Sequence, residues 1–166
     1  MIAIYFVPFK TTVNKSYTGV QFTTNDPSYC EEAKITVDGT ITKYAMQDDY
    51  FEGLITIELP NNLQNYTGEF THQDNTVYID NFDDVNLKLG YVGKLIFLEN
   101  NSKILFEGSC NLHINDFDPF IYAPSTNRLE ALNEIAKLSR KYNISELEWL
   151  ALTKQLEDEK RNEVSE

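Results

Sequence analysis

The change in hydrophobic period near Pro124 constrains the fold more than any other feature of this sequence. Up to about Tyr122, apolar and polar residues alternate with a period of two, β-branched and aromatic residues are frequent, and turn residues recur at short intervals. After Pro124 the apolar residues follow the spacing of an α-helix. We therefore predict an α+β protein in which a β-rich portion precedes a helical one.

The alternation and turn residues of the β-rich portion predict about ten strands at the spacing of a sandwich or barrel. Its clearest hairpin is Lys34–Tyr44, because Asp38 and Gly39 suit the positive φ angles of a tight turn between two alternating segments. The other predicted strands lie near residues 2–7, 16–23, 51–59, 65–72, 76–80, 84–89, 91–98 and 103–113.

Two of these hairpins share a pattern in which an aromatic residue stands two positions before a glycine. If each hairpin turns midway between its glycines, Gly53 opposes Gly68 and Gly93 opposes Gly108. Facing glycines mark a sharp bend, so we expect a curved, barrel-like antiparallel sheet. The missing side chains would also leave a groove for a ligand, and this alternative stays open.

Two helices are predicted after the strands. The first ends near Tyr142, where two basic residues and Asn143 suit a helix C-terminus. The second begins with a capping box formed by Ser145 and Glu148. We expect this helical hairpin to pack on one side of the sheet, over the apolar patch of Val92, Ile96 and Leu98 on its outer face. The predicted organisation is a single domain, residues 1–166, with a β-rich portion 1–123, a helical hairpin 124–160 and a frayed end 161–166.

Acidic residues are concentrated in the β-rich portion. The formal net charge of the chain is −12, and residues 1–123 contain seventeen acids against seven bases. Nine acids and no Lys or Arg fall between Lys43 and Lys88. Clustered acids on a rigid sheet oppose binding to nucleic-acid phosphates or anionic membranes, and they attract a basic partner. A simpler interpretation, in which the acids serve solubility, also fits.

The same hairpin register sets Glu52 opposite Glu69 on the outer face and Asp49 opposite His72 on the inner face. Directly opposed carboxylates repel unless a cation or a partner's Lys or Arg lies between them. Asp49 and His72 are interpreted as an end-of-strand ion pair, with an acid/base pair at a barrel mouth as the alternative.

A second acidic segment, Asn115–Tyr122, interleaves aromatic residues with acids, which suits either a contact for a basic partner or a wedge between sheet and helices. The candidate partner-binding residues are Asp48, Asp49, Glu52, Glu69, Asp80, Asp83, Asp84, Asp116, Phe117 and Asp118.

Motifs for catalysis or cofactor binding are missing from the sequence. It contains no nucleotide-binding glycine motif, no nucleophile elbow and no HExxH zinc motif. Cys30 and Cys110 lack the spacing of a zinc site or of a disulfide scaffold. The sequence also has no recognisable export signal and no apolar run of membrane-spanning length. We therefore expect a cytoplasmic, non-enzymatic protein that needs no cofactor or metal.

These observations together predict a binding protein that docks on a basic surface of another protein. The partner would be a nuclease, a toxin or a nucleic-acid-processing complex, and the chain would act as an inhibitor of the immunity or anti-defence type. Two other classes fit the same sequence. One is a small-ligand carrier with an apolar cavity inside the barrel, and the other is a structural or assembly protein, for instance of a phage particle.

Overall fold

A computed structural model describes residues 8–45, 47–83, 88–108, 119–142, 145 and 147–154, with the backbone alone for 80–83 and 88–91. Eight strands precede the helical residues in this part of the chain. The strands are β1 Phe9–Phe22, β2 Cys30–Lys43, β3 Asp49–Leu59, β4 Asn62–Gln73, β5 Thr76–Asp83, β6 Lys88–Leu98, β7 Lys103–Gly108 and β8 Phe120–Ala123. The helices are α1 Arg128–Ser139 and α2, whose described residues are 145 and 147–154.

The strands form a closed barrel in chain order. Each strand pairs antiparallel with the next, and β8 pairs with β1 through Val20 opposite Tyr122 and Phe22 opposite Phe120. This confirms the predicted α+β class with a barrel-like antiparallel sheet, although the described strands number eight rather than about ten. The predicted strand 2–7 lies outside the described residues, as does the part of 103–113 that follows Gly108.

The predicted hairpin at Asp38 and Gly39 is wrong, because both residues lie inside the uninterrupted strand β2. Gly39 faces Val13 on β1 and Gly53 on β3. A Cβ atom at Gly39 would lie 2.6 Å from the ring of Phe51. The glycine therefore makes room for an aromatic ring that packs over it, and no turn is formed.

The registers predicted for the two glycine hairpins are confirmed. Gly53 pairs with Gly68, and Gly93 pairs with Gly108. A Cβ atom at Gly53 would collide with the carbonyl oxygen of Asp38 on the neighbouring strand. The backbones thus approach more closely than side chains permit, and this close approach lets the sheet curve into a barrel.

An apolar cluster fills the interior of the barrel. It forms because every second residue of each strand points inward. Phe51 and Phe70 stack there with their ring centroids 6.3 Å apart. The buried members are Val13, Tyr17, Ala33, Ile35, Val37, Ile41, Phe51, Ile55, Ile57, Phe70, Val77, Ile79, Leu95, Phe97, Ile104, Phe106, Ile121 and Ala123.

A second apolar cluster joins the helices to the outside of β1, β6, β7 and β8. Ile96 and Leu98 belong to it, as predicted for the patch under the helical hairpin. Val92 does not, because it packs against the interior cluster instead. The β5–β6 register shifts between Ile79 and Asp80, and a bulge of this kind changes the face on which the following residues lie.

Helix α1 ends earlier than predicted. Its N-cap is Asn127, whose side chain accepts a hydrogen bond from the backbone N–H of Glu130. The helix stops at Ser139 rather than near Tyr142, because the N–H groups of residues 141 and 142 both donate to the carbonyl of Leu138 and close a tight final turn.

Candidate protein-binding face

Three exposed acids lie close together on the outer surface of β2, β3 and β4. In the described chain the helices pack on β1, β6, β7 and β8, and the outward side chains of Asp38, Glu52 and Glu69 stay exposed. Asp38 faces Leu54, and Glu52 faces Glu69. We call Asp38, Glu52, Leu54 and Glu69 the acidic face.

Glu52 and Glu69 form a directly opposed pair of carboxylates, as the predicted register required. Elsewhere the sheet matches acids with cations: Lys34 lies 2.9 Å from Glu58 across β2 and β3, and Lys94 lies 2.9 Å from Glu107 across β6 and β7. None of the ion pairs found among the described residues includes Glu52 or Glu69. The Glu52–Glu69 pair is therefore a local excess of negative charge on a rigid sheet.

Two members of the acidic face were not predicted as binding residues. Asp38 was assigned to a turn, but its carboxylate lies on the outer face and accepts a hydrogen bond from the Asn14 amide at 3.2 Å. Leu54 is 37% exposed, so an apolar side chain stands among the acids. The sequence could have predicted the exposure of Leu54, because the alternation of the strand places this apolar residue on the outer face.

The remaining predicted acids do not join this face. Asp48 is exposed in the connection between β2 and β3, and Asp49 points inward. Asp80 and Asp83 lie in β5, within residues 80–83, of which the structure describes the backbone alone. The other candidates, Asp84, Asp116, Phe117 and Asp118, lie outside the described residues.

Asp49 and His72 lie opposite each other on the inner face, as predicted. Their closest atoms, Nδ1 of His72 and Oδ2 of Asp49, are 3.7 Å apart, which is too long for a hydrogen bond. Asp49 instead accepts a hydrogen bond from the backbone N–H of Tyr44 at 2.9 Å.

Burial, followed by the nearby Lys43 ammonium, lowers the pKa of His72, and Asp49 opposes this shift. His72 is only 3% exposed, and its lowered pKa favours the neutral imidazole. Its position supports a structural role rather than acid/base chemistry at an open mouth.

The described residues contain no group of three or more His, Cys, Asp or Glu side chains that could hold a metal ion. Over the same part of the chain, no helix has the length and apolar character needed to cross a membrane. Comparisons of the chain with protein families, with curated proteins and with solved structures found no match.

Proposed function

We propose that this protein is a non-enzymatic binding protein whose acidic face docks onto a basic surface of another protein. The observation that carries the proposal is the exposed pair of Glu52 and Glu69, opposed across β3 and β4 without a cation from the described chain. Such a pair costs a few tenths to about 1 kcal/mol. A Lys or Arg of a partner between the carboxylates converts this repulsion into attraction.

The surroundings of the pair suit a docking surface. Leu54 provides an exposed apolar contact beside the acids. The neighbouring residues Phe51 and Ile55 are fully buried and anchor β3 in the interior cluster. Because the acids stand on an anchored strand, binding orders little backbone, and this lowers the entropic cost of association.

The charge of the whole chain favours the same class of partner. A net charge of −12 accelerates encounter with basic proteins and opposes direct binding to nucleic acid. We infer a cytoplasmic protein that acts as an inhibitor, of the immunity or anti-defence type, on a nuclease, a toxin or a nucleic-acid-processing complex.

Packing favours binding outside the barrel over binding inside it. The interior of the described barrel is occupied by a continuous apolar cluster. A groove between β1, β2 and the residues that precede α1 has a volume of about 280 Å³. This lies just below the usual range of ligand pockets, roughly 300 to 1,000 Å³. Because the described interior is packed with apolar side chains, the small-ligand carrier is the weaker candidate.

Capture experiments with two matched double variants test the proposal. Glu52→Lys with Glu69→Lys reverses the acidic face, whereas Glu32→Lys with Glu163→Lys changes the net charge equally at positions outside that face. Immobilised wild type and control should retain a basic protein from an extract of the native cell and release it at high salt. The face variant should retain it at least about tenfold less.

Equal retention by the face variant would overturn the proposal. Equal loss in both variants would show that net charge, rather than the acidic face, drives the binding.

A further inference from the structure

Over residues 62–71, the edge of β4 that faces away from β3 pairs with no described strand. β3 pairs with β4 from Asp49 opposite His72 to Leu59 opposite Asn62. β5 pairs with β4 only at the hairpin end, through His72 with Val77 and Gln73 with Thr76. In an antiparallel strand, every second residue turns both its N–H and its C=O to the same side. Along residues 62–71, the groups that point away from β3 therefore meet no strand of the described chain.

This edge borders the acidic face. Glu69 lies on β4 itself, and Glu52 lies beside it on β3. A strand added to β4 would place one of its outward side chains directly opposite Glu69, about 5 Å away between Cβ atoms. A Lys or Arg at that position would extend over the carboxylate pair, while Leu63, which is 61% exposed, offers an apolar contact further along the same edge.

We propose that β4 accepts an extended, Lys- or Arg-containing segment of the partner as an additional strand of the barrel wall. In this mode of recognition, main-chain hydrogen bonds supply affinity and the alternating side chains supply specificity. The inference rests on the proposed function and specifies its partner: the segment is extended, and it carries a cation opposite Glu69.

Charge argues against a second copy of this chain as the occupant. Pairing two β4 edges would bring together two acidic faces on chains that each carry a net charge of −12. Like charges opposed across strands destabilise the pairing, and charged residues on edge strands commonly prevent self-association. The same acids that oppose self-pairing attract a basic strand.

Amide hydrogen exchange on the full chain tests this mode, with an acetylated peptide that alternates Lys and Val as the probe at low salt. In the free protein, every second amide of residues 62–71 should exchange rapidly. The peptide should slow those amides at least about tenfold. The Glu52→Lys, Glu69→Lys variant should lose this protection, and the Glu32→Lys, Glu163→Lys control should keep it.

Several outcomes would overturn strand addition. Uniformly slow exchange in the free chain at all protein concentrations would mean that the chain covers its own edge. Protection that appears without peptide and grows with protein concentration would identify a second copy as the occupant. Failure of the peptide to bind, or binding without slower exchange at β4, would also reject the inference. With each of these outcomes, charge-dependent capture of a protein by the acidic face would still support the proposed function.

Discussion

The opposed carboxylates of Glu52 and Glu69 form a residue pair that lowers the stability of the free protein. Cross-strand pairs are the local unit of sheet stability, and this barrel satisfies that rule with Lys34 and Glu58 on the same outer surface. At Glu52 and Glu69 the rule is broken. A pair that destabilises the free protein is expected where a partner supplies the missing cation.

Neutralising either glutamate should therefore stabilise the free protein. Glu69→Gln and Glu52→Gln are each expected to raise the free energy of unfolding by about 0.5 kcal/mol at low salt. The double variant should gain little more, because the repulsion is removed only once. Urea unfolding of the four proteins in a double-mutant cycle measures this coupling. Fully additive single effects, or a coupling that survives high salt, would contradict the interpretation.

His72 should make the barrel sensitive to mild acid. Its ordinary pKa is 6.5, and burial beside Lys43 lowers that value in the folded chain. Well above pH 6.5 the imidazole is neutral in both states. As the pH falls below 6.5, the unfolded chain takes up a proton that the folded chain resists, so stability declines.

Replacing His72 with Gln should flatten the pH dependence of stability between pH 7.5 and 5. Urea midpoints of both proteins, measured across this range, provide the comparison. Parallel pH profiles would show that His72 does not resist protonation in the folded barrel.

At the scale of elements, a charged network fastens α1 to the turn between β6 and β7. The Lys103 ammonium lies 2.8 Å from Glu134 on α1 and 3.1 Å from Glu99 in the turn. Lys137 contacts the other Glu134 oxygen at 2.6 Å, and Lys141 reaches Glu99 at 3.3 Å. The network supplements the apolar packing of α1, and its directional ion pairs restrict the position of the helix on the barrel.

Loss of this network should appear at low pH. Hydrogen bonds from Lys103 and then Lys137 lower the pKa of Glu134 to about 2 from an ordinary value of 4.5. The carboxylate thus contributes stability above pH 4.5, and that contribution disappears as the pH falls toward 2.

Glu134→Gln should cost about 1 kcal/mol at neutral pH and reduce the loss of stability below pH 4.5. Thermal unfolding from pH 7 to 2.5 measures both effects. A variant whose pH profile matches that of the wild type would rule out this role.

At the scale of the whole molecule, closure of the barrel depends on glycine positions, where the backbones of neighbouring strands approach each other closely. Gly39 and Gly53 face each other on β2 and β3, and Gly53 continues the row to Gly68 on β4. This row crosses three neighbouring strands on the inner face. The resulting bend allows the first and last strands of the order, β1 and β8, to meet.

Adding one methyl group to this row should be costly. Gly53→Ala places a Cβ against the Asp38 carbonyl and should lower the free energy of unfolding by about 3 kcal/mol. Thr67→Ala, at an exposed position of the adjoining strand, should change it by less than about 0.5 kcal/mol. Chemical denaturation of both variants gives the comparison, and similar values would show that the close approach is not required.

Local patterns were enough to predict the β-then-α order, the registers of both glycine hairpins and the docking of helices over Ile96 and Leu98. A register depends on the turn and on the alternation of two segments that are near each other in the chain. The Glu52–Glu69 pair was predictable for the same reason, because it belongs to one of those hairpins.

Contacts between distant segments settled the rest. Asp38 and Gly39 have the composition of a turn, yet they continue a strand because the Phe51 ring packs over Gly39 and β3 pairs beside it. Asp38 consequently joins the acidic face. The early separation of β5 from β4 and the pairing of β8 with β1 depend on the geometry of closure around the whole barrel, which no run of neighbouring residues encodes.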